Sequence, residues 1–209
     1  MIYWNDMNKI IIGVVAVLVL GFGILFFTGD NSNTGTQETL TTWTNIQGAT
    51  TSKIQIVEYA DFQCPACGFM HEIIKELQIK YPNQIALTFK NFPLINIHRN
   101  ALLAAKTAEA AGKQGKYFEM HDMLFETQKD WAVLPSPKEK FTEFARALSL
   151  NLEIFDKDIN SKEIEDKIKA DIQDGTKAKI TGTPTLFING VKVENGGIEA
   201  KIKSILEIK

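Results

Sequence analysis

The two cysteines of this 209-residue chain stand three positions apart, in EYADFQCPACG at residues 58–68, and the residues around them fix the local fold. Upstream, KIQIVEYADF from Lys53 alternates and then clusters β-branched and aromatic side chains, as a buried strand does. Downstream, GFMHEIIKELQIKYP sets Phe69, Ile73, Ile74, Leu77 and Ile79 on an approximate helical stripe that stops at Tyr81, before Pro82. The pair therefore falls where a strand becomes a helix. Spacing alone permits three readings: a metal half-site, a structural staple or a redox pair.

The rest of the chain supplies a frame for that junction. IALTFKNFPL at residues 85–94 predicts a second strand ended by Pro93. From about residue 98 to 179 the pattern is helical, in RNALLAAKTAEAA, KYFEMHDMLFETQ, PSPKEKFTEFARALSL, LEIFDKDI and SKEIEDKIKADIQDGTKAKI. The charges of EIEDKIKADIQD read as the solvated face of a helix laced by i,i+4 pairs. TPTLFING and VKVEN then predict a hairpin turned at Asn189-Gly190, and IEAKIKSILEI closes as an amphipathic helix. Strand, helix, strand, helical block, hairpin and helix describe an α/β sheet with a helical insertion between its halves. If the first strand and the hairpin share that sheet, EYADFQCPAC and ITGTPTLFING become neighbours.

Composition narrows the partners. With 23 basic against 25 acidic residues and no long Lys/Arg block, the chain lacks an electrostatic footprint for nucleic acid. Residues 10–27, IIIGVVAVLVLGFGILFF, run 18 positions without a charge, close to the ~20 that span a hydrocarbon layer. They predict an N-terminal transmembrane helix within residues 1–28, and FFTGD offers no A-x-A cleavage pattern that would favour a removed signal. Lys9 before the span and Asp30 after it favour a head inside and a domain outside. Residues 29–50, rich in Gly, Ser, Thr and Asn, read as a flexible tether to a domain over residues 51–209.

At a strand-to-helix junction the sulfur of Cys64 meets unsatisfied backbone N–H groups and the positive end of the helix dipole, which favour a thiolate. Pro65 suits the first helical turn, and Cys67 lies one turn on, close enough to close a disulfide. An oxidising compartment gives the staple weight, yet a loop this short removes little entropy from the unfolded chain, so the redox reading is preferred. The metal reading would need His71 beside Cys64 and Cys67, plus a fourth ligand. His71 is expected to be an exposed helix residue, and His98 and His121 to lie on helix surfaces or termini.

CPAC after a strand, a helical insertion and TGTPTLFING together resemble the thioredoxin superfamily, specifically the DsbA-like thiol-disulfide oxidoreductases with membrane-tethered, BdbD-like members, over about residues 50–209. The resemblance implies a thioredoxin fold with an insertion at about 98–179, and a single-pass plasma-membrane protein with its catalytic domain on the extracytoplasmic side. It implies Cys64 as the solvent-facing nucleophile and Cys67 as the buried resolving thiol. Pro184 matches the cis-proline opposite the disulfide, and Thr183, before it, would present its backbone to a client peptide. Pro65 and Ala66 fill the dipeptide between the cysteines, without the histidine of the most strongly oxidising member. Glu58, six residues before Cys64, takes the place of a buried acid that relays the Cys67 proton, with Lys90 a possible partner; as a plain strand residue it would pair with a lysine at a sheet edge. Phe62, with Phe69 and Met70, is a candidate apolar collar for clients, although aromatic residues beside a sheet are more often core. The redox-active disulfide is the implied cofactor-free centre, with no metal. The implied partners are reduced exported proteins and a DsbB-like or VKOR-like membrane quinone reductase, and a monomer is expected. A reductase or isomerase is the alternative within this chemistry, and a peptide-binding chaperone module outside it.

Overall fold

The computed structural model describes residues 43–207. The expected membrane helix at residues 1–28 lies outside the described residues, as does most of the tether. Among the described residues, no helix is long and apolar enough to cross a membrane.

One mixed sheet organises the domain. Its strands are β1 (Asn45–Gln47), β2 (Ile54–Ala60), β3 (Ile85–Asn91), β4 (Thr185–Ile188) and β5 (Val191–Val193), arranged in the order β1-β3-β2-β4-β5. β2 is central, parallel to β3 and antiparallel to β4. A parallel pair needs a crossover, supplied by α1 (Pro65–Lys80). β4 and β5 form the expected hairpin, turned at Asn189 and Gly190 with φ of 49° and 79°. Both residues occupy the left-handed region that a two-residue hairpin turn of this hand requires.

Between β3 and β4 lies the helical block: α2 (Ala101–Gly112), α3 (Tyr117–Glu126), α4 (Gln128–Trp131), α5 (Lys138–Ala147), α6 (Leu152–Ile159) and α7 (Lys162–Lys177). Two of these helices carry side-chain caps: Asn151 accepts from the Ile154 N–H and Ser161 from that of Ile164. α8 (Ile198–Leu206) closes the described chain. Two apolar clusters result. Ile54 and Ile56 of β2 pack with Met70, Ile74 and Leu77 of α1 and with Ile198 and Ile202 of α8. The helical block builds the other cluster around Phe62, Phe89, Trp131 and Phe141, and both cysteines belong to it.

Two local expectations are corrected here. Residues 45–47, expected in the tether, form an edge strand antiparallel to β3. Their anchor is distant in sequence: the Trp43 indole N–H and the Asn45 amide donate to the buried Glu109 carboxylate at 2.7 and 2.8 Å. The helix containing EIEDKIKADIQD is also more than a solvated face. Lys167 is buried and sits 2.6 Å from Asp171 and 3.5 Å from Glu109, while Asp171 accepts from the Asn91 backbone N–H at 3.1 Å. The i,i+4 pair exists, but it points inward to satisfy β3 and α2.

Candidate active site

The strand-to-helix junction forms as its sequence requires. Cys64 is the N-cap of α1, with extended backbone at φ −73° and ψ 121°, and Pro65 occupies the first helical turn, where a missing N–H costs nothing. The Cys64 carbonyl accepts from the backbone N–H groups of Cys67 and Gly68 at 3.0 and 3.2 Å, closing that turn. Pro65 and Ala66 are exposed, Cys64 is 8 % exposed and Cys67 is fully buried. Across the sheet, the loop before β4 brings Thr183 to the pair. Its carbonyl oxygen lies 3.5 Å from the Cys64 sulfur, and the Thr183–Pro184 peptide bond is cis.

The two thiols have opposite electrostatics. Cys64 is held down to about 5, first by the hydrogen bond from Cys67 and then, against the cost of burial, by Thr183 and the backbone N–H groups of Cys67 and Ala66. The Thr183 hydroxyl is buried without a hydrogen-bond partner, and the Cys64 sulfur's contact to this residue is to its carbonyl oxygen. Burial pushes the Cys67 thiol far up, reinforced by the bond to Cys64 and by the Glu58 charge. Beneath them Glu58 is 1 % exposed, and burial raises its carboxyl to about 8. Its Oε1 has no hydrogen-bond partner. Lys90 does not serve as that partner. The β2–β3 register aligns Glu58 with Phe89 and Tyr59 with Lys90, so Lys90 takes the opposite face and pairs with Asp174 at 3.1 Å and Asp171 at 3.6 Å.

Several supporting residues escaped the sequence reading. Asp61 is buried and gathers the Gln63 and Leu94 backbone N–H groups and the His98 ring at 2.7 to 2.8 Å, while its own N–H lies 3.5 Å from the Cys67 sulfur. Gln128 of α4 donates to the carbonyls of Phe62 at 2.7 Å and Cys64 at 2.9 Å. Gln63 donates to Ala132 O and accepts from Asn100 N. An Asp three residues before a junction cysteine was the one available signal; nothing local marks Gln128, 64 residues away.

Phe62 is a correction. It is 1 % exposed, stacked on Phe89 at 5.0 Å and against Phe125 at 4.9 Å, because it lies in the turn between β2 and α1 with its ring packed into the helical block rather than toward a client. Phe69, placed on the buried stripe of α1, is instead 70 % exposed, and so is Ile79 at 75 %; Met70 is buried. Phe69 lines a groove of about 640 Å³ beside Pro65, with Gln63, Gln128, Ala132 and Val133. Two of the three histidines are corrected too. His71 and His121 are buried, the latter ringed by Phe62, Phe89 and Phe125, and His98 sits in the turn before α2 on Asp61. Among the described residues, the ligand atoms that cluster are those of His71, His121 and Asp122, so His71 does not complete a site with the two cysteines.

Comparison with known proteins agrees with this architecture. Residues 41–207 match the family described as thioredoxin. A Na(+)/H(+) antiporter, NhaA 3 of Salinispora tropica, is 32 % identical over 146 residues, 70 % of this chain, but the chain spans only 22 % of that relative's length. A probable disulfide bond formation protein D of Bacillus anthracis is 27 % identical over 194 residues, covering 87 % of this chain and 86 % of that one. The oxidised crystal structure of BdbD from Bacillus subtilis superposes with a TM-score of 0.69 at 20 % identity, over 78 % of this chain and 93 % of that one. With strand, dithiol helix and cis-proline loop in this arrangement, the chain belongs to the thioredoxin family.

Proposed function

We propose that the chain is a thiol-disulfide oxidoreductase of the DsbA and BdbD type, working as a dithiol oxidase on exported proteins. The observation that carries this reading is the contrast within one helical turn: a Cys64 thiol held near 5 and reachable from the cis-proline loop, and a buried Cys67 thiol pushed far up. A leaving thiol of low pKa departs readily, and a disulfide whose reduced form is stabilised gives up its bond readily.

In the oxidised enzyme, a client thiolate attacks the Cys64 sulfur. The Cys64–Cys67 bond breaks and Cys67 leaves with the electron pair, taking a proton for which the protonated Glu58 carboxyl is the nearby source. A second client thiolate then attacks the client sulfur of the mixed disulfide. Cys64 leaves as the stabilised thiolate, and the client holds the disulfide. The chain ends as a dithiol, two electrons richer, so turnover requires an oxidant; a DsbB-like or VKOR-like quinone reductase in the membrane is the class that fits. The Thr183 backbone beside Pro184 offers an edge for an extended client, and the groove with exposed Phe69 and Val133 offers apolar contact where Phe62 cannot.

Incubating the oxidised full chain with a reduced dithiol peptide tests the reading. The expected result is stoichiometric peptide disulfide formation, with Cys67→Ser accumulating a Cys64-linked mixed disulfide and Cys64→Ser inert. A Cys64→Ser variant that binds and releases the peptide as the parent does, with no disulfide formed by either, would mark a peptide-binding module instead.

A further inference from the structure

Away from the dithiol, His71 of α1 poses a question. It is 6 % exposed and makes no hydrogen bond: its Nε2 is buried without a partner, and its Nδ1 stands 4.0 Å from Asp122 Oδ1. The His71 Nδ1, facing the Asp122 carboxylate but beyond hydrogen-bond reach of it, is therefore open to a further bond. Its neighbour His121, on α3, sends Nδ1 to the same Asp122 oxygen at 2.9 Å, and its Nε2 is also buried and unpartnered. One donor atom from each of the three residues lies within 4.8 Å of the other two. All three line a cavity of about 250 Å³ that Glu58, another side chain with an unpartnered buried atom, also lines, with exposed Ile79 at its edge.

We propose that His71, His121 and Asp122 bind a divalent transition metal ion of the zinc class at this cavity. Two imidazole nitrogens and one carboxylate oxygen are a borderline donor set suited to such ions, with the cavity leaving room for a water as fourth ligand. Tetrahedral bonds of about 2.0 to 2.1 Å place ligand atoms about 3.3 Å apart; the Nδ1 contacts to Asp122 Oδ1 are 2.9 and 4.0 Å and the three donor atoms lie within 4.8 Å of one another, so binding draws the His71 and His121 side chains together. Lys75 also lines the cavity, and its ammonium is engaged by Glu126. The site stands on separate residues from the dithiol, so its failure would leave the proposed redox chemistry untouched.

The test uses the full chain with Cys64 and Cys67 oxidised to a disulfide, which removes thiolates as competing ligands. The chain has three histidines, so imidazole nitrogen NMR resolves the ligands directly. Zinc addition is expected to shift the His71 and His121 resonances at one equivalent and leave His98 unmoved. Asp122→Asn, at a half-buried position, should weaken zinc affinity about tenfold or more while the fold is kept, and His71→Gln should do the same. Unmoved His71 and His121 resonances up to millimolar zinc, or undiminished affinity in both variants, would overturn the proposal.

Discussion

Two residues set the chemistry of the site through opposite shifts. Cys64, lowered from 9 to about 5, should react with iodoacetamide at a rate whose pH midpoint lies near 5 in the reduced chain. Because the Cys67 hydrogen bond is the leading cause, Cys67→Ala should move that midpoint upward, and Cys67→Ser, which keeps a donor, should move it less. The sign for stability follows from the depressed value: the Cys64 contribution to the reduced fold is present above pH 9 and lost as pH falls through 5. Glu58 behaves in the other sense. Raised from 4.5 to about 8, it contributes stability that is present below 4.5 and lost as pH rises through 8, because the unfolded chain ionises first. Glu58→Gln should therefore gain about 3 kcal/mol at pH 7 in urea unfolding and flatten the pH dependence between those values, while slowing release of Cys67 in exchange. Equal pH slopes for parent and variant would contradict the buried acid.

Among elements, legibility followed the range of the interactions involved. The strand-to-helix junction, the Asn189-Gly190 hairpin and the helical pattern of α6 and α7 were readable because their determinants lie within a few residues. β1 was not, since its anchor is Glu109, more than 60 residues on. The same distance hid the inward ion pair of α7, the burial of His71 and the role of Gln128, none of which has a local signature. Gly48, directly after β1, makes that edge testable. Its φ is +93°, and a Cβ there would stand 2.6 Å from the Ile85 carbonyl oxygen. Gly48→Ala should cost on the order of 1–3 kcal/mol and loosen β1 first, seen as faster amide exchange at residues 45–47 than in β2. Uniform exchange across the sheet would mean that β1 is not held where the structure has it.

At the scale of the whole molecule, the sheet and the helical block converge on one edge. The sheet brings Cys64 to Thr183 across 119 residues of chain, and the block supplies Gln128 beneath the turn and the apolar surround of Cys67. On the oxidase reading proposed above, this assembly favours the reduced state, because it stabilises a thiolate at Cys64. The most direct measurement is the reduction potential of the Cys64–Cys67 pair in the full chain, equilibrated against glutathione buffers. The oxidase reading predicts a value on the side of the −120 mV of a strong oxidase. A value near −270 mV, where the domain would give electrons to its clients, would contradict the oxidase assignment.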